Sequence, residues 1–347
     1  MISPNDPGIL YSPYNWDVTS TRALTVCAGA WFRTLFNAAL TSITLRFDVS
    51  QMSTSFPTKI AYRVNRQAWQ YVNAADTVAL QMPTYPSTWG KTSLEVVFLT
   101  SSQGGNRWTN STTALLLTGI DVAPGGATTI APTPRPLAGF VGGDSIVEGI
   151  NTIGRDGDST QRSDALYSWA YQLGDAVGAD IGMVGFGGLG MSLPISGIPK
   201  YPDSWQYQAA GIPRTFTRPP DFALINLGTN DKNNNVDPAT FKADYLRALN
   251  AMQAALPSTV IFVMMPFGLY YGLSMYQDIV ASSAYPDRAS VIDTTGWWSN
   301  VDSLDSLHPL GYMAPKLAAL TANAILTRLK AKPVSPAELV WTGTAWA

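Results

Sequence analysis

The chain is poor in the residues that most often carry metal and redox chemistry. Its 347 residues include one cysteine, Cys27, and one histidine, His308. A single thiol excludes an intrachain disulfide and a thiolate metal cluster, so Cys27 reads as a small buried apolar residue. A single imidazole excludes zinc or iron sites built on two or more histidines, and any imidazole general base has to be His308. No metal or other cofactor is expected. Charge is scarce as well: 13% of residues are charged, the formal net charge is −2, and no run of Lys or Arg stands out. Nothing in that balance marks a nucleic-acid partner or an anionic membrane surface. No uncharged apolar run reaches the roughly 18–20 residues of a membrane helix; the run 260–265 is stopped by Pro266. The N-terminus, Met1-Ile2-Ser3-Pro4-Asn5-Asp6-Pro7-Gly8, lacks the basic and apolar regions of a secretory signal. A soluble protein is expected, with compartment and oligomeric state open.

What the chain does have is apolar content, 46% of residues, laid down with two different periods. Up to residue 122 the period is two. Ile43, Leu45, Phe47 and Val49 alternate with Thr44, Arg46 and Asp48, as in a half-buried strand. Similar runs at 24–28, 31–36, 59–64, 68–72, 77–82, 94–100 and 114–122 are separated by Pro, Gly, Ser and Asn. About eight strands without a helix predict a β-sandwich of jelly-roll type. Residues 123–136, rich in Pro, Gly and Thr, read as the linker between domains.

Beyond the linker, strand and helix alternate. Strands are expected at 138–141, 181–185, 222–227, 260–265 and 290–293. One helix carries Leu166, Ala170, Leu173 and Val177. Another has Asp237 as N-cap and Pro238 at its first position, with Phe241, Tyr245, Leu249 and Met252 on one face; a last one runs over 315–330. This alternation predicts an α/β domain over 137–331, a parallel sheet between two helical layers, with ligand sites at the carboxyl ends of the strands. A tail, 332–347, carries Trp341 and Trp346.

The reactive residue types fall at those strand ends. Ser145 follows the strand through Gly142-Gly143-Asp144; it is either the N-cap of the next helix or a nucleophile, if a base lies beside it. His308 can be that base. It needs an acceptor on its other nitrogen, which Asp305, three residues earlier, can supply, with Asp302 as the rival. Asn230, in Gly228-Thr229-Asn230-Asp231, is either a turn residue or a carboxamide donor to an oxyanion. Gly185-Phe186-Gly187-Gly188-Leu189-Gly190 has dinucleotide-binding spacing, but Pro194 and Pro199 break the helix that should receive a pyrophosphate. A backbone N–H aimed into the site suits it better, from Gly190 first and Gly188 otherwise.

Four blocks in this order resemble the SGNH (GDSL-type) hydrolase superfamily: Gly143-Asp144-Ser145, the glycine loop, Gly228-Thr229-Asn230-Asp231, and Asp305-Ser306-Leu307-His308-Pro309. The resemblance spans about residues 137–330 and implies a Ser145–His308–Asp305 triad. It also implies an oxyanion hole formed by the N–H groups of Ser145 and Gly190 with the Asn230 side chain. The second block departs from the pattern, since Gly185 stands where many members have Asn. A β-rich domain ahead of such a hydrolase is similar to the layout of microbial carbohydrate esterases that remove acetyl groups from polysaccharides. The expected partner is therefore a small-molecule or polysaccharide ester. Of eleven tryptophans, Trp297 and Trp298 are the candidates for lining the site. The alternatives are a lipase or thioesterase using the same triad, and a glycan-binding or virion surface protein with an inactive hydrolase domain.

Overall fold

The computed structural model describes residues 1–84, 90–103, 107–109 and 113–330. The N-terminal part is built from β1 (Ile9–Tyr11), β2 (Asp17–Val18), β3 (Ala23–Thr25), β4 (Trp31–Phe36), β5 (Ile43–Phe47), β6 (Lys59–Val64), β7 (Gln70–Asn73), β8 (Thr77–Ala79), β9 (Thr92–Thr100) and β10 (Leu115–Val122). They pair as two antiparallel sheets, β1-β4-β9-β6-β7 and β2-β3-β10-β5-β8. Within these, β4-β9-β6-β7 facing β3-β10-β5-β8 is the strand order of a jelly roll. The eight strands legible as alternating runs are these eight; β1 and β2 are short additions at the edges. Alternation places Ile43, Leu45 and Phe47 between the sheets with Phe32, Phe36, Ile60 and Phe98. It fails on β9, which is buried along almost its whole length. Val96 and Phe98 point into the sandwich, while Val97 and Leu99 pack against Trp31 and Leu166 on the outside. A strand covered on both faces loses its polar half.

The second part contains β11 (Leu137–Gly143), β12 (Ala179–Gly185), a two-stranded ribbon β13 (Tyr207–Ala209) and β14 (Ile212–Pro213), then β15 (Phe222–Asn226), β16 (Val260–Met264) and β17 (Ala289–Ile292). Its helices are α1 (Ser145–Glu148), α2 (Ser159–Arg162), α3 (Trp169–Val177), α4 (Tyr201–Ser204), α5 (Thr229–Asn233), α6 (Pro238–Ala255), α7 (Leu273–Ala281) and α8 (Ala314–Leu329). The main sheet is parallel, in the order β12-β11-β15-β16-β17. Ile261 and Val263 face α6 and α7, while Phe262 and Met264 face α3 and α8, so both sides are covered. Ser168 accepts from the Ala170 N–H and starts α3 at Trp169, which leaves Leu166 in a preceding 3₁₀ turn. Among the described residues no helix is long and apolar enough to cross a membrane.

The two parts share a core. Tyr14, Leu24, Val26, Cys27, Trp108 and Leu116 of the sandwich join Phe140, Val184 and Phe186 of the parallel sheet in one buried cluster. The segment 123–136 is tied to the sandwich: Asn37 N donates to Ala127 O, Thr129 N to Leu35 O, and Thr128 Oγ1 to Asp6 Oδ1.

In the parallel sheet, the chain leaves β11 for β12 on one side and reaches β15 on the other. Connections that part in this way open a crevice at the carboxyl ends of the two central strands. Ser145 follows β11 and Asn230 follows β15.

Candidate active site

The turn that carries Ser145 is made by close approach. A Cβ on Gly143 would lie 2.3 Å from Val147 Cγ2 and 2.9 Å from the Asn226 carbonyl, so only glycine lets α1 fold back onto the strand end. Asp144, not Ser145, is the N-cap, its Oδ1 accepting from the Ile146 N–H at 2.9 Å. Ser145 is thereby the first helical residue, its hydroxyl is not used in capping, and its N–H has no acceptor among the described residues. The hydroxyl instead meets His308, with Oγ 2.8 Å from Nε2.

His308 sits on the segment after β17, closed into a loop by a bridge between Ser303 and Pro309. Its Nδ1 lies 2.6 Å from Asp305 Oδ2. A carboxylate there keeps the proton on Nδ1 and leaves Nε2 to accept from the Ser145 hydroxyl. Asp305 Oδ1 accepts from the N–H groups of His308 at 2.8 Å and Leu307 at 3.0 Å, and from Ser303 Oγ at 2.8 Å. Burial alone would raise the Asp305 carboxyl; hydrogen bonds and charge from His308, together with Asn151, outweigh it and hold the group well below the usual carboxylate range. The rival Asp302 is engaged elsewhere, with Ser299 and the Tyr312 hydroxyl.

Gly190 does not offer its N–H to the site. That group donates to the Leu193 carbonyl at 2.9 Å, which corrects the expectation that placed it in an oxyanion hole. The Asp231 carboxylate holds the same stretch from below, accepting from Met191 N at 2.8 Å and Ser192 N at 2.7 Å. Gly188, half-buried at φ +82°, has an N–H without an acceptor among the described residues. Asn230 Nδ2 donates to Asp144 Oδ2 at 3.1 Å and to the Leu189 carbonyl at 3.0 Å, bridging the Ser145 turn and the glycine loop. Asp144 is wholly buried, and burial pushes its carboxyl up to about 7 against the opposing pull of the Ile146 N–H and His308.

Trp297 and Trp298 are half-buried and pack against the core cluster that includes residues of α3 and α8, and no hydrogen bond joins them to Ser145, Asp305 or His308. The tail with Trp341 and Trp346 lies outside the described residues. Three groups near the triad escaped the sequence. Asn151, in the left-handed region at φ +59°, donates through Nδ2 to Asp305 Oδ2 at 2.6 Å. Glu148 on α1 accepts from Gly187 N, and Arg107 of the sandwich pairs with Glu148. No short motif announces them. Among the described residues no group of three or more His, Cys, Asp or Glu is placed to hold a metal ion.

Residues 141–311 match the family model described as GDSL-like Lipase/Acylhydrolase, and the α/β domain belongs to that family of ester hydrolases. Its sandwich partner recurs in solved structures of similar layout. An acetyl xylan esterase from the rumen bacterium Butyrivibrio proteoclasticus superposes with a TM-score of 0.75 at 16% identity, covering 94% of this chain and 96% of that one. A family two carbohydrate esterase from Clostridium thermocellum, solved with cellohexaose, gives 0.72 at 19% identity over 93% and 99%. A salicylyl-acyltransferase of a tetracycline biosynthetic pathway gives 0.63 at 12% identity over 95% and 99%. At such identities the likeness establishes the fold. No curated protein matches the chain by sequence.

Proposed function

We propose that the protein is a serine esterase that hydrolyses O-acyl esters of carbohydrates, O-acetyl esters foremost, through an acyl-enzyme. The observation that carries the reading is the unbroken hydrogen-bonded chain Ser145–His308–Asp305 at the switch point of the sheet. Ser145 Oγ attacks the acyl carbon while His308 Nε2 takes its proton, and Asp305 holds the resulting imidazolium in place. The tetrahedral oxyanion is met by the N–H groups of Ser145 and Gly188 and by Asn230 Nδ2. A charged oxyanion competes well for the amide proton that Asn230 now gives to the neutral Leu189 carbonyl. His308 then protonates the leaving alcohol, and water attacking the acyl-enzyme repeats the steps in reverse roles. The preference for acetylated sugar rests on the carbohydrate esterases that share both domains.

The test is Ser145→Ala, assayed on p-nitrophenyl acetate and on acetylated xylan, mannan and sialic acid. Loss of all turnover with the fold intact is expected, and wild-type turnover would overturn the assignment. Screening acyl chain length separates an acetylesterase from a lipase, which would favour long chains.

A further inference from the structure

Glu148 and Arg107 form a buried ion pair that the triad does not use, with side chains 1% and 3% exposed. In a chain with so few charges, a desolvated pair at the centre of the molecule calls for a reason, because removing two ions from water is costly. Both partners of the pair are hydrogen-bonded beyond each other. Arg107 donates to both Glu148 oxygens, Nη2 reaching Oε2 at 3.1 Å, and Gln103 Nε2 donates to Oε1 at 2.9 Å. Arg107 Nη2 also donates to Gln103 Oε1 at 3.1 Å, and its guanidinium lies 5.3 Å from the Phe186 ring. The remaining Glu148 contact is the informative one. Oε2 accepts from the backbone N–H of Gly187 at 2.9 Å, the residue directly before Gly188.

Glu148 thus stands on α1, three residues after Ser145, and grips the glycine loop. Gln103 and Arg107 come from the segment between β9 and β10 of the sandwich. The space is filled: a Cβ on Gly187 would lie 2.2 Å from Gln103 Oε1, and one on Gly185 2.7 Å from Glu148 N. The segment is fastened to the hydrolase domain a second time, by Gln103 N donating to Ser159 Oγ at 2.9 Å and Ser159 Oγ donating to Ser101 O at 2.8 Å.

We propose that the jelly-roll domain completes the catalytic apparatus, with Arg107 and Gln103 acting as positioning residues. Through Glu148 they fix the 187–188 backbone so that the Gly188 N–H faces the oxyanion formed at Ser145. The inference rests on the serine-esterase reading. It makes the sandwich part of the enzyme's transition-state machinery, whatever it also does toward polysaccharide.

The test compares full-length Arg107→Lys, the paired change Arg107→Leu with Glu148→Leu, and Ser145→Ala, each checked for fold by circular dichroism. The paired change leaves no charge stranded. It is expected to lose about 10²-fold in kcat, the size of effect that a misplacement of about 1 Å produces, with KM changed by less than about threefold. Affinity for a trifluoromethyl ketone, whose adduct with Ser145 carries a tetrahedral oxyanion, should fall by the same factor. Arg107→Lys keeps the charge but not the fork and should lie between. A folded paired variant with wild-type kcat, or one whose loss is confined to KM, overturns the proposal. If the paired variant does not fold, wild-type kcat and ketone affinity in Arg107→Lys overturn it instead. Ser145→Ala keeps the two readings apart: if it remains active the esterase reading itself falls, whereas a dead Ser145→Ala beside fully active Arg107 variants removes only the role given to the sandwich.

Discussion

Asp144 divides its two oxygens between tasks, one capping α1 through Ile146 N and the other accepting from Asn230. Its carboxyl is pushed up to about 7 by burial, so between roughly pH 4 and 7 the folded chain holds a proton that the unfolded chain releases. The stability this proton confers is complete below the unfolded value near 4 and is lost as pH rises through about 7. Asp305 works in the opposite sense: its stabilisation is present above the ordinary carboxylate value and disappears in stronger acid. Urea unfolding of Asp144→Asn should therefore show less decline in stability between pH 4.5 and 7.5 than the wild type, and an unchanged slope would disprove the assignment. Asn230→Ala should lower kcat by about 10²–10³, with a smaller effect on KM, because in the proposed oxyanion hole its donor acts in the transition state; a loss seen in KM alone would make it a substrate-binding residue. Ser145 and Asn230 were legible as candidates because each lies in a short block just after a strand, and Asp305 and His308 because they share one short block with the only imidazole of the chain. Asn151 and Arg107 were not. Their partners are 154 and 41 residues away in sequence, and contacts of that kind leave no local pattern.

Secondary elements were read well where burial is one-sided. The alternation in β5 and the apolar stripe of α6 each report a single covered face. Where burial is two-sided, as in β9, β15 and β16, the strand shows as a short apolar run without alternation, whereas strands as short as β1 and β2 have too few residues to show a period. Capping was the sharper signal. Asp237 Oδ2 accepts from Ala239 N at 3.0 Å and Thr240 N at 3.1 Å, with Pro238 at the first helical position. Replacing this exposed cap, Asp237→Ala, should cost about 1 kcal/mol in chemical denaturation. Turnover should not change, since the bonds lost are those to Ala239 and Thr240 of its own helix. A cost near zero would mean that tertiary packing alone holds the start of α6.

At the scale of the whole molecule, two architectures that read as separate domains bury their neighbouring faces in one cluster. Polar bonds reinforce it: Asn15 Nδ2 donates to Met183 O at 3.1 Å, and Gln208 Nε2 donates to Tyr14 O at 2.9 Å. The two should therefore unfold together, with tryptophan fluorescence and loss of activity tracing one denaturation curve. Two separated transitions would show that the sandwich and the hydrolase domain are energetically independent.

The lone thiol of the chain lies within that cluster, fully buried, with burial pushing its ionisation up to about 11. It can serve as a clock for the parting of the two domains. In the native protein a disulfide reagent such as Ellman's should find nothing to react with over minutes, whereas the urea-unfolded chain should take up one equivalent at once. Any slow labelling of the native enzyme then measures how often the seam opens, and its rate relative to the unfolded chain gives the free energy of that opening. Since Cys27 is the sole thiol, the signal comes from one place and needs no engineered probe.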